Sequence, residues 1–276
     1  MGKRQNPETG RTLTTGELLA SAHALADTSG PAILKHFRKA LTIDNKAKGG
    51  RFDPVTQADR AAERAIRRQL KSLHPGHAIL GEEEGMTEGT APYTWVIDPI
   101  DGTRAFMTGM PLWGTLIGVT LQERSIVGVM DQPYIGERVW SKGGGTTWWR
   151  SADGRERRIK AASCARLEEA RFMTTSPELF SEKQDVAVFE RLRGKARLTR
   201  FGGDCYAYCL LAAGHVDVIA EVGLQSYDIV ALVPIIEGAG GVVTDWNGNR
   251  PENGGRILAC GDLKLHERLL KVIART

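Results

Sequence analysis

Two aspartates that follow a short apolar run could together hold a divalent cation. The run is Trp95 to Ile97, and the segment after it, residues 98–103, reads DPIDGT. Apolar and β-branched residues in such a run are typical of a buried strand. Pro99 biases Asp98 toward an extended conformation, and Gly102 lets the chain turn away sharply. The carboxylates of this segment should therefore emerge from one rigid corner at a strand end.

The oxygen atoms at this corner are of the kind that magnesium binds. Mg²⁺ prefers carboxylate and carbonyl oxygens at about 2.0–2.1 Å, and Asp98, the Ile100 carbonyl and Asp101 lie close enough along the chain to supply several. The Thr103 hydroxyl would lie beside the metal. An alternative interpretation is an Asx turn in which both aspartates are solvated. The spacing alone leaves both interpretations open, and carboxylates from elsewhere would favour the metal.

Other acidic residues stand near the ends of predicted elements. Glu82 to Glu84 follow the strand candidate Ala78 to Leu80, and Asp59 lies in the first turn of a helix that should begin near Thr56. A run of glutamates usually marks a solvated loop, although one of these three could be recruited to a site. Asp59 alone is explained by a favourable interaction with the helix dipole. These residues become site candidates only if the fold brings them to the corner.

The composition is that of a folded globular protein. A chain of 276 residues can bury a substantial core, as one large domain or two closely joined ones. With 41% hydrophobic and 25% charged residues, the chain is not expected to be disordered. The net charge of +4 is scattered apart from residues 155–158, and no long basic tract is interleaved with aromatics, so no nucleic-acid partner is expected. A mild positive charge could help to attract an anionic substrate.

The cysteines and the N-terminal sequence indicate a protein of the cytoplasm. The cysteines are dispersed without CxxC spacing, which predicts neither a zinc site nor a disulfide framework: Cys164, Cys205, Cys209 and Cys260. Residues 1 to about 12 should form a polar arm without the apolar segment of a secretory signal. No run of about 18 apolar residues occurs, so no membrane-spanning segment is expected.

The candidate residues need a mixed set of helices and strands to position them. Thr14 and Glu17 have the spacing of a capping box, so a helix should begin there and break or kink at Gly30-Pro31. A second, amphipathic helix should run from about Thr56 to Leu73. Between residues 114 and 160, β-rich runs and turns predict an antiparallel meander.

After residue 170, strands and helices alternate. Asp228 should begin an apolar helix that contains Pro234. No glycine-rich nucleotide loop occurs in the required strand-to-helix context. Strands are predicted near 172–175, 197–201, 216–220, 242–244 and 257–259, and further helices near 185–192, 206–213 and 263–273.

Four acidic motifs together resemble those of the inositol monophosphatase family of Mg²⁺-dependent phosphatases. They are DPVTQAD (53–59), LGEE (80–83), DPIDGT (98–103) and YDIVAL (227–232), and they occur in the family's order. The resemblance runs from about Thr14 to the C-terminus. It implies an α/β fold of layered α+β type, the αβαβα sandwich of these phosphatases. It also implies an N-terminal α+β half (1–150), a C-terminal α/β half (151–276), and a site between them.

The resemblance carries the family's site onto particular residues of this chain. Asp59 and Thr103 match the pair that orients and deprotonates the attacking water, and Glu82 joins them as a catalytic group. The resemblance also implies two or three Mg²⁺ ions per site, a small phosphate monoester substrate and a homodimer. The implied metal ligands are Glu82, Asp98, the Ile100 carbonyl, Asp101 and Asp228, and the implied substrate-binding residues are Gly102, Thr103, Asp204, Glu221 and Asp228.

Phosphate ester hydrolysis explains why so many carboxylates would share one site. A phosphate monoester dianion repels hydroxide, and two metal ions about 3.5–4 Å apart can neutralise it, lower the pKa of a bound water and stabilise the leaving alkoxide. A catalytically silent binding protein on the same fold is the alternative from another class. It is disfavoured because no metal-binding or water-activating position is substituted.

The substrate is predicted from two further acids. The family position occupied by Asp204 is commonly small and apolar in inositol phosphatases, and Glu221 matches a substrate-contacting carboxylate. Two such acids favour a cationic alcohol over a neutral polyol. Four further stretches resemble the family's histidinol-phosphate phosphatases, which hydrolyse L-histidinol phosphate to L-histidinol in histidine biosynthesis. They are TGMPLWGTLIG, GVMDQPYIGER, RFGGDCYAYCLLAAG and, after it, EVGLQSYD.

Other interpretations of these acids remain open at this point. Inositol-1-monophosphatase and nucleotide 3′-phosphatase are alternative activities within the family, although the latter usually accompanies larger insertions. Asp204 could instead only cap the helix that follows Gly203.

Overall fold

The computed structural model describes residues 12–40, 43–45 and 54–276, and these contain eight α-helices and fifteen strands. Residues 1–11 of the predicted arm and the Lys- and Gly-rich sequence of residues 46–53 lie outside the described residues. The helices are α1 Thr15–Leu34, α2 Gln57–Leu73, α3 Thr103–Met107, α4 Lys183–Arg193, α5 Asp204–Ala212, α6 Ser226–Ile229, α7 Leu232–Gly238 and α8 Leu263–Ile273. The strands are β1 Ile43–Asn45, β2 Pro54–Thr56, β3 Ala78–Gly81, β4 Gly85–Thr87, β5 Tyr93–Asp101, β6 Gly114–Leu121, β7 Arg124–Gln132, β8 Glu137–Ser141, β9 Thr147–Arg150, β10 Glu156–Ile159, β11 Arg171–Thr174, β12 Leu198–Phe201, β13 Val218–Leu224, β14 Val242–Asp245 and β15 Gly255–Cys260.

Two sheets form the frame of the described chain. The larger has eight strands in the order β10-β9-β8-β7-β6-β5-β3-β4, and only its β3–β5 pair is parallel. The smaller has the order β12-β11-β13-β15-β14, with β11 parallel to β12 and β13. The predicted meander is confirmed as β6 to β10. The division of the chain at residue 150 stays a prediction, and β10 of the large sheet lies beyond it.

Helices cover both faces of each sheet, which gives the predicted αβαβα layering. On one face of the large sheet, Leu18 of α1 and Ile66 of α2 pack with Trp95 of β5. Between the sheets lie α5 and α7, whose side chains share a core with both sheets. On the outer face of the small sheet, α4 and α8 pack through residues such as Phe189 and Leu269. No helix among the described residues is long and apolar enough to cross a membrane.

Strand β5 runs further than its sequence predicts. It continues through Pro99 to Asp101, whereas we expected it to end at Asp98. Asp98 pairs with Leu116 and Asp101 with Gly114, so three steps on β5 match two on β6. This is a bulge, and a proline that cannot donate a ladder hydrogen bond is tolerated there. The bulge carries both aspartates to one end of the sheet.

Two helix predictions are wrong in detail. Helix α1 does not break at Gly30-Pro31 but continues to Leu34, because the buried Gly30 and Ile33 keep it packed; the kink that was expected as the alternative stays a prediction. Asp228 does not open a long helix. It lies in the first turn of the short helix α6, and Pro234 lies in the first turn of the separate helix α7, where its missing N–H costs nothing. By contrast, the capping box at Thr14 and the terminal helix are confirmed.

Candidate active site

A pocket of about 680 Å³ opens where the end of β5 meets β13, α5 and α6. Its lining comes from segments more than 100 residues apart in the chain, which is why the acidic motifs can meet. Asp98 and Ile100 are buried at the same strand end and are 2% and 0% exposed. Among the predicted site residues, those that line the pocket are Glu82, Asp101, Gly102, Thr103, Asp204, Glu221 and Asp228.

Three aspartates from two distant motifs form a candidate metal centre. Carboxylate oxygens of Asp98, Asp101 and Asp228 all lie within 4.8 Å of one another. A backbone N–H orients each of them: Ile100 donates to Asp98 Oδ1 over 3.0 Å, Cys205 to Asp101 Oδ2 over 2.5 Å, and Gln225 to Asp228 Oδ2 over 2.6 Å. Hard oxygen donors held together in this way suit a divalent cation such as Mg²⁺.

Glu82 lies at the edge of this centre. It follows β3, and its N–H donates to the Ile97 carbonyl over 3.2 Å, directly before Asp98. Its charge and a hydrogen bond between the two carboxyl groups raise the pKa of Asp98, after the larger effect of burial. Burial is the main cause that raises the pKa of Asp59 and of Asp228, and the charge of Glu82 adds to it in both, so both acids lie near Glu82.

Burial and mutual repulsion make these carboxylates costly to ionise. Burial is the main cause that raises the pKa of Asp98 and Asp101 well above its usual range, and neighbouring carboxylates add to it. The same causes raise the pKa of Asp228 to about 7. Like charges in low dielectric repel one another, and a bound cation would remove that repulsion. The acidic centre therefore fits a metal ion in its chemistry as well as in its donor atoms.

Metal-free protein is expected to become more stable as the pH falls from 8 to 6.5. Asp204 and Asp228 have an ordinary pKa of 3.8, which the fold raises to about 7. In this pH range the folded state therefore binds protons that the unfolded state does not, and stability is lost as the pH rises through 7. Calorimetry in EDTA should show the melting temperature rise on acidification, by about 2–4 °C for each kcal/mol gained.

Added Mg²⁺ provides the control for this experiment. It should raise the melting temperature at pH 8 and reduce the dependence of the melting temperature on pH. The reason is that bound Mg²⁺ neutralises the carboxylates that bind protons in the metal-free protein. The range stops at 6.5 because burial lowers the pKa of His23 and His77 to about 4, so further acid opposes folding. A metal-free melting temperature that rises from pH 6.5 to pH 8 would contradict the prediction.

The predicted water-orienting pair is not joined by a direct hydrogen bond. Thr103 Oγ1 donates to the Ile100 carbonyl over 3.2 Å. Asp59 Oδ2 accepts from the Thr56 N–H over 2.9 Å and from Thr56 Oγ1 over 2.5 Å, as the N-terminal capping box of α2. Asp59 Oδ1 is buried and has no hydrogen-bond partner in the described part of the chain. Burial raises the pKa of Asp59 to about 6, which suits a proton acceptor.

Asp204 lies in an uncommon backbone conformation at the pocket. Its φ is +43°, and it is the first residue of α5, where Gly203 is the cap and no side chain caps the helix. The interpretation of Asp204 as a helix cap is therefore wrong. Burial and the charge of Glu221 raise the pKa of Asp204 to about 7, while Arg104 opposes them. A half-buried acid with a strained backbone at a pocket is typical of a functional position.

Glu221 is held more firmly than its sequence context indicates. Its Oε1 accepts from the Thr175 N–H over 2.7 Å and from Thr175 Oγ1 over 2.6 Å, and its Oε2 accepts from the Tyr208 hydroxyl over 2.9 Å. Burial raises its pKa, and these hydrogen bonds oppose the increase. Sequence reasoning missed Thr175 and Tyr208. The only sequence signal for Tyr208 as a site residue is its position one helical turn after Asp204.

Gly102 is required where β5 passes into α3. Its φ is +91°, and a Cβ there would lie 3.1 Å from the Leu112 carbonyl oxygen and 3.2 Å from Asp204 Cβ. A larger residue would therefore be strained and would push against the Asp204 side chain. Glycine at this position keeps the two sides of the pocket in contact.

Comparison with known proteins agrees with this arrangement. The model of the inositol monophosphatase family matches residues 15–276. The bifunctional phosphatase IMPL2, chloroplastic, of Arabidopsis thaliana is 43% identical over 263 residues, which are 91% of this chain and 73% of that protein. A histidinol-phosphatase of Streptomyces coelicolor is 34% identical, with 91% of this chain and 95% of the relative covered. The solved structure of an inositol monophosphatase from Zymomonas mobilis is 40% identical with a TM-score of 0.83, covering 95% of this chain and 100% of its own.

The chain belongs to the inositol monophosphatase family. It is a phosphatase, and the family's small phosphate monoester substrates are the class on which it acts. The predicted family, layered fold and enzyme class are thereby confirmed. The family depends on metal ions, and the cluster of Asp98, Asp101 and Asp228 could hold one.

Proposed function

We propose that this protein is a Mg²⁺-dependent histidinol-phosphatase, which hydrolyses L-histidinol phosphate to L-histidinol and phosphate in histidine biosynthesis. The observation that carries the proposal is a further pair of acids that line the pocket, the buried Glu221 and the half-buried Asp204. They lie in the same pocket as Glu82, Asp101 and Asp228, which would bind metal. The similarity to a histidinol-phosphatase supports it.

Each candidate residue has a role in this proposal. Two or three Mg²⁺ ions, when bound, would neutralise the phosphate dianion and lower the pKa of a water molecule. Asp59 and Thr103 would orient that water and accept its proton. The backbone N–H groups of Gly102 and Thr103 would face the phosphate, and Asp228, besides binding metal, would belong to the substrate-binding residues. The residues that would hold the metal are Glu82, Asp98, the Ile100 carbonyl, Asp101 and Asp228.

The second pair of acids suits a cationic leaving group. Histidinol carries an ammonium and an imidazole, whereas a neutral polyol would leave buried charge uncompensated beside it. Glu221 already accepts three hydrogen bonds, so most of its acceptor capacity is used and Asp204 is the acid better placed to bind a cation directly. Arg104 reduces but does not cancel the effect of burial on the pKa of Asp204.

Asp204→Ala is expected to lower kcat/KM for histidinol phosphate by roughly 10- to 150-fold, because a hydrogen bond to a charged group contributes about 1.5–3 kcal/mol. Hydrolysis of inositol 1-phosphate should fall far less. Phosphate release measured on both substrates tests this, and Asp204→Asn, which keeps the shape and removes the charge, should behave like Asp204→Ala. An equal loss on both substrates, or a wild type that prefers inositol 1-phosphate, would refute the cationic-substrate proposal.

Inositol-1-monophosphatase is the second candidate activity. The Zymomonas mobilis inositol monophosphatase, with 40% identity and a TM-score of 0.83, favours it. Phosphate release from histidinol phosphate, inositol 1-phosphate and 3′-phosphoadenosine 5′-phosphate, compared on the wild type, separates both candidates from a nucleotide 3′-phosphatase. A protein that releases phosphate from none of them would support the binding-protein alternative.

We also propose that the enzyme acts as a homodimer in a reducing cytoplasm, without a nucleic-acid partner. All four cysteines, Cys164, Cys205, Cys209 and Cys260, are free thiols in the structure, which is compatible with that compartment. Light scattering coupled to size-exclusion chromatography measures the oligomeric state directly, and a monomeric mass would refute the homodimer.

A further inference from the structure

We propose that Glu63, supported by Arg67, is a positioning residue that fixes Glu82 for cation binding. This inference rests on the proposed function, in which Glu82 is a metal ligand. Both residues lie on the buried face of α2, and Glu63 is 0% and Arg67 4% exposed. Neither residue lines the pocket, so their effect must pass through the turn that joins β3 to β4.

Glu63 binds the backbone on the C-terminal side of Glu82. Its Oε2 accepts from the Glu83 N–H over 2.7 Å, and its Oε1 accepts from the Glu84 N–H over 3.0 Å. The N–H of Glu82 itself donates to the Ile97 carbonyl over 3.2 Å. Three successive backbone N–H groups are thus bound to acceptors in two different elements. The Cα of Glu82 is therefore held relative to both α2 and β5.

Arg67 completes the support by binding both Glu63 and β4. Its Nε donates to Glu63 Oε1 over 2.7 Å, its Nη1 donates to Thr87 Oγ1 over 2.9 Å, and its Nη2 donates to the Gly85 carbonyl. The planar guanidinium fixes the Glu63 carboxylate and the return strand in one geometry. The turn between β3 and β4 is therefore held by the contacts of Arg67 with β4 as well as by the hydrogen bonds of its own backbone N–H groups.

The residue before Glu82 must be glycine for this contact to form. A Cβ on Gly81 would lie 2.1 Å from Glu63 Oε1 and 2.8 Å from Arg67 Nη2. No real Cβ approaches an oxygen so closely, so the Glu63 carboxylate occupies the space that a side chain would need. The glycine of the LGEE motif therefore follows from the Glu63 contact.

The position of Glu63 on α2 links two parts of the candidate site. Asp59 precedes it by four residues and Arg67 follows by four, so the three buried side chains lie along one face of the helix. A buried ion pair is weak support for stability, because desolvation offsets much of the attraction. Positioning of Glu82 explains the buried Glu63–Arg67 pair better than a contribution to stability does.

Glu63→Gln tests the proposal. Both oxygens of Glu63 accept from N–H groups, so the amide nitrogen of a glutamine must oppose one of those donors, and the turn should shift. Partners that orient metal ligands typically contribute 10- to 100-fold in affinity. We expect Glu63→Gln to bind Mn²⁺, an ion that favours the same oxygen ligands, about 10- to 100-fold more weakly. Titration followed by electron paramagnetic resonance measures Mn²⁺ binding without substrate.

Asp217→Asn is the matched control. Asp217 is 2% exposed and accepts from the Arg171 N–H over 2.8 Å and from its Nε over 2.7 Å, so it resembles Glu63 in burial and in its partners. It lies four residues before Glu221, roughly 13 Å along the strand, away from the pocket. We expect Asp217→Asn to lower the melting temperature but to bind Mn²⁺ as the wild type does. Glu63→Gln should instead recover most of its kcat at saturating Mg²⁺.

Arg67→Lys is the second variant, for use if Glu63→Gln does not fold. It keeps the charge beside Glu63 but loses donors to Gly85 and Thr87, and it should weaken Mn²⁺ binding by a smaller factor. Folded variants at both positions with wild-type Mn²⁺ affinity, or an equal loss in Asp217→Asn, would overturn the inference alone. A wild type that binds no Mn²⁺ would overturn the proposed function and this inference with it.

Discussion

Asp98→Asn is expected to lower the rate of phosphate release by about a thousandfold or more. Asp98 is 2% exposed and lies at the centre of the acidic cluster, where Glu82, Asp101 and Asp228 all influence its pKa. Asparagine keeps the shape and can still accept the hydrogen bond from the Ile100 N–H, so the backbone at the bulge should be unchanged. The loss would thus report the missing charge toward the metal. Phosphate release at increasing Mg²⁺ concentrations measures it.

Stability in EDTA distinguishes this loss from a damaged fold. Because burial and repulsion raise the pKa of Asp98, the metal-free wild type carries a penalty at pH 8 that Asp98→Asn lacks. The variant should therefore melt at the same temperature as the wild type or above it. Asp185→Asn is the control, since Asp185 is buried against Arg256 Nε at 2.6 Å on another face, and it should lose stability but keep activity. Full activity after chelation would refute the metal assignment.

The sequence predicts the acids of the site because each stands at an element end. Glu82, Asp98 and Asp228 belong to short motifs whose flanking residues define a strand end or a helix start. The fold brings Glu82 and Asp228 to one pocket and places Asp98 in a cluster with Asp228. Local signals of this kind depend on neighbours within about four residues, as in the capping box at Thr14 and the helix start near Thr56, and both form.

The supporting residues could not be predicted because their partners are distant in the chain. Thr175 binds Glu221 across 46 positions, and Glu63 binds the Glu83 N–H across 20. No periodicity relates such pairs, so only the folded backbone defines them. The same limit explains the errors at Pro31 and Pro99, where tertiary packing and a bulge accept prolines that local rules would exclude.

Thr103→Ala is expected to lower kcat by about 10²- to 10⁴-fold, the usual contribution of a positioned proton-transfer group, with KM changed only a few-fold. Thr103 Oγ1 donates its proton to the Ile100 carbonyl, so its lone pairs are the part that can accept a hydrogen bond from water. Thr103→Ser keeps the hydroxyl and should retain most of the activity. A Thr103→Ala variant with wild-type kcat would show that Thr103 is only a turn residue.

A double-mutant cycle with Asp59 tests whether the two residues act on one water molecule. They make no direct hydrogen bond to each other, and Asp59 Oδ1 has no partner in the described part of the chain, so any cooperation must pass through a molecule between them. If Asp59→Asn and Thr103→Ala each remove the same activated water, the double variant should be little slower than the slower single variant. If they act separately, the two losses should multiply. Multiplied losses would mean that Thr103 acts through the Ile100 carbonyl, which is the proposed metal ligand, and that Asp59 acts alone.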